Sequence, residues 1–166
     1  MSRLLLTLPV LLALLLAACA TPAGDARLIA GRSTQAEVQA WFGMPSRIWP
    51  EADGGRTLEY AQQPFGSHCP MLRFDARGLL LSQRDGLAPA ERARIVPGLS
   101  VEQVQRLLGR ERKRVGYANS REDVWDWNVE PTFSGTWLRF NVHFIDGVVV
   151  RTSETVVDPE RLRWAL

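Results

Sequence analysis

The chain is poor in the side chains that most chemistry requires. Its only histidines are His68 and His143, and its only cysteines are Cys19 and Cys69. An enzyme needs a positioned nucleophile, a base working near its pKa, or a metal with at least three ligands. No zinc spacing, phosphate-cradling glycine loop or paired-carboxylate motif is present. His68 and Cys69 are neighbours, and neighbours on an extended chain point to opposite sides, so they are poorly placed to act together. The expected state is a loop histidine beside a small, semi-buried cysteine next to Pro70; a redox or metal role for Cys69 is the competing reading. Charge of one sign is also lacking: 20 basic residues face 18 acidic ones, for a formal charge of +2. A binder of phosphate backbones would show a basic surplus gathered on one element, so a nucleic-acid partner is not expected. Long apolar runs are missing too. Residues 4–16 are apolar but contain Thr7 and Pro9 and fall short of the ~20 residues that cross a bilayer. The expectation is no catalytic residue, no metal and no soluble cofactor.

That short run has another reading. Arg3, the apolar residues 4–16 and the small residues that follow have the order of an export signal. Leu16-Ala17-Ala18-Cys19 resembles the lipobox of bacterial lipoproteins, which places the cut before Cys19 and lipid on its thiol. Ordinary secretion is the alternative, since Ala18-Cys19-Ala20 also fits a small-x-small cleavage site. Two acyl chains already anchor stably, at about 0.8 kcal/mol per buried methylene, so the three usual in such lipoproteins would hold essentially permanently. Ala20 after the cysteine implies sorting to the outer membrane, with the body expected in the periplasm. With Cys19 acylated, Cys69 has no disulfide partner, and the fold must stand on its core.

The mature part states one helix twice. Ile29-Ala30-Gly31-Arg32-Ser33-Thr34-Gln35-Ala36-Glu37-Val38 continues to Gly43, and Val96-Pro97-Gly98-Leu99-Ser100-Val101-Glu102-Gln103-Val104 continues to Gly109. Thr34 superposes on Ser100, Glu37 on Gln103, Val38 on Val104 and Gly43 on Gly109. Thr34 with Glu37, and Ser100 with Gln103, are capping boxes. Val38, Trp41 and Phe42, and Val104, Leu107 and Leu108, predict one buried stripe on each helix. Gly43 and Gly109 are stops. Resemblance between two unrelated amphipathic helices is the alternative to duplication.

After each helix the apolar period becomes two. Strands are predicted over 56–62, 71–75 and 79–84, then over 112–117, 122–129, 136–145 and 148–155. Hairpin turns fall at 75–78 and at Asp146-Gly147, the latter a pair that type I′ turns favour. The predicted fold is α+β: two tandem helix-plus-antiparallel-meander repeats packed as one unit, because about 60 residues bury too little surface to be comfortable alone. The boundaries read as signal 1–18, lipidated tether 19–28, first repeat 29–86, linker 87–95 with a short helical turn, second repeat 96–157 and helical tail 158–166, opened by Asp158 and Pro159.

Gly31-x-x-Thr34-x-x-Glu37-Val38-x-x-x-Phe42-Gly43-x-Pro45, an aromatic strand at Tyr60, and Leu72-x-Phe74-Asp75-x-x-Gly78-Leu79 together resemble the SmpA/OmlA domain of BamE-like outer-membrane lipoproteins. The match covers nearly all of residues 29–85. The second copy follows it more loosely, with Trp125 and Trp127 in the aromatic strand and Glu111 where the proline would stand. The resemblance implies a lipid-anchored accessory to the β-barrel assembly machinery. Members usually carry one domain, and two copies also resemble, in architecture, the β-lactamase inhibitor proteins. A tethered protein-binding or inhibitor module is therefore the alternative.

Strand parity points to a surface. Over 136–145, Leu138, Phe140, Val142 and Phe144 share one face and should meet the helices, leaving Trp137, Arg139, Asn141 and His143 on the other. Trp and Arg are enriched at binding hot spots, so this second face is the candidate partner-binding surface. The plainer reading is that Trp137 covers a sheet edge or lies under the C-terminal segment around Trp164. Trp125 and Trp127 alternate with Asp126 and Asn128 and are expected in the core.

Overall fold

A computed structural model describes residues 27–131 and 136–157. The signal, Cys19, most of the tether, and the tail with Asp158, Pro159 and Trp164 lie outside the described residues.

Both predicted capping boxes form. Thr34 Oγ1 accepts from the Glu37 amide at 3.3 Å while the Thr34 amide donates to Glu37 Oε2 at 2.8 Å, opening α1 (Gln35–Phe42). After a short helix α2 (Pro89–Arg92), the same exchange between Ser100 and Gln103, at 3.3 and 2.8 Å, opens α3 (Val101–Leu108). The stops match as well: Gly43 (φ 78°, ψ −161°) and Gly109 (φ 76°, ψ −164°) occupy a backbone region open essentially to glycine alone.

Each helix precedes a four-stranded antiparallel sheet. The first is ordered β1 (Arg47–Pro50), β2 (Arg56–Glu59), β3 (Pro70–Phe74), β4 (Leu80–Asp85); the second is β5 (Lys113–Tyr117), β6 (Glu122–Pro131), β7 (Trp137–Ile145), β8 (Val148–Val157). β1 was not predicted. Four residues including an arginine and a proline carry no period, and such a segment is tolerated because it forms a sheet edge. The approach to each helix is latched to its sheet's last strand in the same way. The Gly31 amide donates to the Leu80 carbonyl and the Leu80 amide to Ser33, just as Gly98 donates to Val149 and Val149 to Leu99, all between 2.7 and 2.9 Å.

The helices differ in what they bury. α3 buries Val104, Gln105 and Leu108, but α1 buries only Val38, and its expected partners Trp41 and Phe42 stay 47% and 38% exposed. The reason is position. α1 lies on the outside of the first sheet against Leu58, Leu72 and Phe74, with its last turn overhanging, where the Arg27 guanidinium stacks on Trp41 and Phe42. α3 lies between the sheets. Its core joins Cys69 and Met71 of the first sheet's opposite face to Trp125, Trp127, Phe140, Val142, Phe144 and Val149 of the second. The layers thus run α1, first sheet, α3, second sheet. The segment expected as a linker is part of this core, since Leu87 and Ile95 are buried in it.

Gly109 is the tightest point between the layers. A Cβ there would stand 2.3 Å from Cys69 Sγ and 3.1 Å from Met71 Cε, whereas a Cβ on Gly43 would meet nothing within 4 Å. Both Gly→Ala changes incur the backbone strain, about 1–3 kcal/mol. Gly109→Ala should cost a further ~1–3 kcal/mol of overpacking, read as the difference between the two denaturant midpoints at equal m-value.

Candidate functional site

Among the described residues, no helix lies on the outer face of the second sheet. β7 places Trp137, Arg139, Asn141 and His143 on it and Phe140, Val142 and Phe144 in the core. Its four outward residues do not behave alike. Asn141 and His143 are buried, at 9% and 7% exposure, and cross-strand side chains meet their polar atoms. Asn141 Nδ2 donates to Thr155 Oγ1 at 2.9 Å and lies 3.3 Å from Ser153 Oγ. His143 Nδ1 meets Glu122 Oε2 at 2.8 Å, and its Nε2 meets Ser153 Oγ at 2.9 Å. Parity places Asn141 and His143 on the proposed docking face, but both nitrogens of the imidazole and the amide nitrogen are engaged within the sheet.

Glu122-His143-Ser153 has the order of a hydrolytic triad, which a reading of the sequence does not reveal because the three residues sit on three strands. A nucleophile also needs substrate room and donors for a developing oxyanion. The two hollows on this face are lined by neither Ser153 nor His143. Arg151 Nη2, at 2.8 Å from Glu122 Oε2, makes the carboxylate part of a cross-strand ion network. The Arg151 and His143 hydrogen bonds hold the Glu122 carboxyl below its ordinary range.

A different arrangement occupies the other end of the face. The turn after β2 is pinned to β6 by three hydrogen bonds: Gln63 Nε2 donates to the Asn128 carbonyl at 2.8 Å, the Asn128 amide to Gln63 Oε1 at 3.2 Å, and Asn128 Nδ2 to the Pro64 carbonyl at 2.8 Å. Gln63 and Asn128 are buried, while Phe65 at the tip is 90% exposed. A hollow of about 290 Å³ opens between this turn and the sheet, lined by Pro64, Phe65, Arg112, Asn128, Trp137, Arg139 and Val157. Arg112 forks onto Asp126 through Nε and Nη2, and Arg139 Nε donates to Asn128 Oδ1 at 3.3 Å. Burial, and then the Arg112 charge, lower the Arg139 pKa. Phe65 and Arg112 were not anticipated. The only sequence signal for Phe65 is its place in Gln-Pro-Phe-Gly, a turn cluster in which an aromatic has no apolar neighbours to share a core with.

Elsewhere, a hollow of about 410 Å³ at the seam between first sheet and α3 is lined by Arg73, Arg84, Arg94 and Arg106, each paired with an acid: Asp53 at 2.7 Å, Glu91 at 3.3 and 2.7 Å, and Glu102 at 3.1 Å. A further hollow, about 280 Å³, is mostly apolar and includes Leu28, Phe42, Tyr60 and Leu72. His68 and Cys69 diverge: His68 is exposed and bonded to Asp85 at 2.6 Å, while Cys69 is fully buried rather than semi-buried, and burial pushes its thiol pKa up. No group of three metal-ligating side chains occurs among the described residues. No helix among them is long and apolar enough to cross a membrane.

No family model and no curated protein matches the chain. Among solved structures it is similar to a DUF4309 family protein of Bacillus subtilis, at 18% identity and TM-score 0.32 over 82% of this chain and 86% of that one. It is also similar to a proposed β-lactamase inhibitor protein of Streptococcus mutans, at 10% identity and TM-score 0.33 over 76% and 84%. A third is an extracellular protein with an SCP domain from Bacillus anthracis, at 15% identity and TM-score 0.30 over 86% and 50%. Likeness at this level assigns neither topology nor function.

Two measurements follow from the titratable groups. The depressed Glu122 stabilises the fold above the ordinary glutamate range and loses that contribution as pH falls through its lower folded-state value. Glu122→Gln should therefore lower Tm near neutrality and flatten its decline below about pH 4.3. Cys69 should resist iodoacetamide in the native protein at neutral pH and react only on unfolding, because thiolate formation and access are both suppressed. Rapid native labelling would remove the buried-thiol assignment.

Proposed function

We propose that the chain is a lipid-anchored, non-enzymatic protein-binding module of the bacterial envelope, built from two fused copies of one helix-and-sheet unit. The anchoring is supported by the lipobox-like Leu16-Ala17-Ala18-Cys19, and an outer-membrane address by Ala20. Fusion is supported by the paired capping boxes, the paired glycine stops and the same latch in each half. The observation that carries the binding role is Phe65, held 90% exposed on a pinned turn beside Trp137 and Arg139. A single exposed aromatic is ordinary on a protein surface, but here Phe65 adjoins Trp137, Val157 and Arg139 around one hollow, and clustered aromatic and arginine side chains carry most hot-spot energy. The non-enzymatic character is supported by the engagement of His143 and Ser153 away from any of these hollows. Within this reading, a tethered inhibitor or receptor and the barrel-assembly accessory that the SmpA/OmlA resemblance implies are told apart by which partner is captured.

Mass spectrometry of the mature protein should find acyl chains on an amino-terminal Cys19, and Cys19→Ala should move the protein from the membrane to the soluble envelope fraction. An unmodified terminus would end the anchoring proposal. Envelope crosslinking should yield a discrete partner band that Phe65→Ala or Trp137→Ala reduces at least about tenfold, as expected for hot-spot losses above 1.4 kcal/mol. Recovery of the same band from both variants would count against this face.

A further inference from the structure

We infer that the hollow between the pinned turn and the start of β7 is a receptor for a polypeptide segment that presents a carboxylate beside an aromatic or bulky aliphatic side chain. This inference deepens, and rests on, the protein-binding reading.

Charge is the first argument. Arg112 and Arg139 share the neighbourhood of one carboxylate, Asp126, and Arg112 takes both of its oxygens. Arg139 spends only Nε, on the neutral Asn128 amide oxygen, and neither terminal nitrogen meets an acceptor among the described residues. At the seam, by contrast, every arginine lining the hollow has an acidic partner. Among the described residues, the outer hollow therefore holds a half-buried guanidinium whose terminal nitrogens have no acceptor, and a carboxylate is the group that matches such a fork with two parallel hydrogen bonds. The lowering of Arg139's pKa by burial and by Arg112 is the penalty that an incoming anion would relieve.

Shape is the second argument. Pro64, Phe65, Trp137 and Val157 supply apolar wall around Arg139 within about 290 Å³, near the ~300 Å³ lower end of ligand pockets. That space fits one anchoring side chain and its carboxylate, not a whole cofactor. Phe65 projects beyond the hollow, so the occupant must continue past it to use that surface, as a polypeptide does. The turn is held by its three hydrogen bonds before any partner arrives, which keeps the ordering cost of binding low.

The test titrates the native protein with N-acetyl-L-phenylalanine and, separately, N-acetyl-L-phenylalaninamide, which differs only in lacking the carboxylate. Binding is followed by the Trp137 indole and Arg139 Nε–H resonances in ¹⁵N-labelled protein. The acid should bind at least about tenfold tighter than the amide, the size of one charge-assisted hydrogen-bonded contact. Arg139→Gln should erase that ratio, and Phe65→Ala should weaken both probes while preserving it. Equal affinities, no binding of either probe to native protein, or a ratio that survives Arg139→Gln would each overturn the inference. The comparison of acid with amide uses unaltered protein, so a folding defect in a variant cannot mask the answer. Crosslinking separates the two levels: a band lost in Phe65→Ala and Trp137→Ala but kept in Arg139→Gln overturns the carboxylate receptor alone, and a band kept in all three overturns the binding face with it.

Discussion

Glu59 is 1% exposed, and a carboxylate in such a place is tolerated only if its oxygens are met. One accepts from the Trp49 indole at 3.0 Å, within its own sheet; the other accepts from the Arg110 backbone amide at 2.8 Å, directly after the glycine that ends α3. The Gly109 carbonyl in turn accepts from the Trp127 indole of the second sheet at 3.2 Å. Two consecutive residues at one helix end thus bind the first sheet on one side and the second sheet on the other. Around them Arg84 donates to the carbonyls of Arg106 and Leu107 at 2.7 and 2.8 Å, satisfying acceptors that a helix end leaves free. The guanidiniums of Arg47 and Arg106 both stack over the Trp49 ring, at 4.7 and 4.8 Å. Separating the halves would strand a buried charge and expose the core that Cys69 and Met71 share with α3, so neither half is self-sufficient.

The same arrangement determines where function can reside. α3 occupies the inner face of the second sheet and α1 the outer face of the first, so among the described residues the second sheet's outer face is the broad surface without a helix. A bare sheet face would ordinarily be lined by solvated side chains. Here much of it is closed by its own cross-strand network, from Glu122 through His143 to Ser153 and on to Asn141 and Thr155. The network gives way at the end that holds Trp137 and Arg139, where the hollow beside Phe65 opens. The turn that completes this end comes from the first half of the chain and binds β6 of the second, so the candidate site exists only once the halves are joined.

Much of this was legible in local patterns. A capping box is an interaction over three residues, a glycine stop depends on one dihedral, and strand parity needs only alternation, so both longer helices, seven of the eight strands and the Trp125 and Trp127 core positions could be read without tertiary information. β1 could not, because Arg47, Ile48, Trp49 and Pro50 have no period and form a strand only by pairing with β2. The α1 stripe differs for a related reason: Trp41 and Phe42 sit at the right spacing, but among the described residues no layer lies beyond the last turn to cover them.

Parity likewise placed Trp137, Arg139, Asn141 and His143 on one face yet could not separate them, because their accessibility depends on β6 and β8 neighbours far along the chain. Sequence alone determined the N-terminal lipobox-like motif, the two helix boundaries and the alternation of the strands, all of which rest on contacts within a few residues. Only the tertiary structure decided that α3 is a shared wedge, that Cys69 is sealed behind Gly109, and that Phe65 stands beside Arg139. Those outcomes depend on which surfaces meet across separations of 40 residues or more, as in the 65-residue span between Gln63 and Asn128, and chain-local chemistry does not encode such distances.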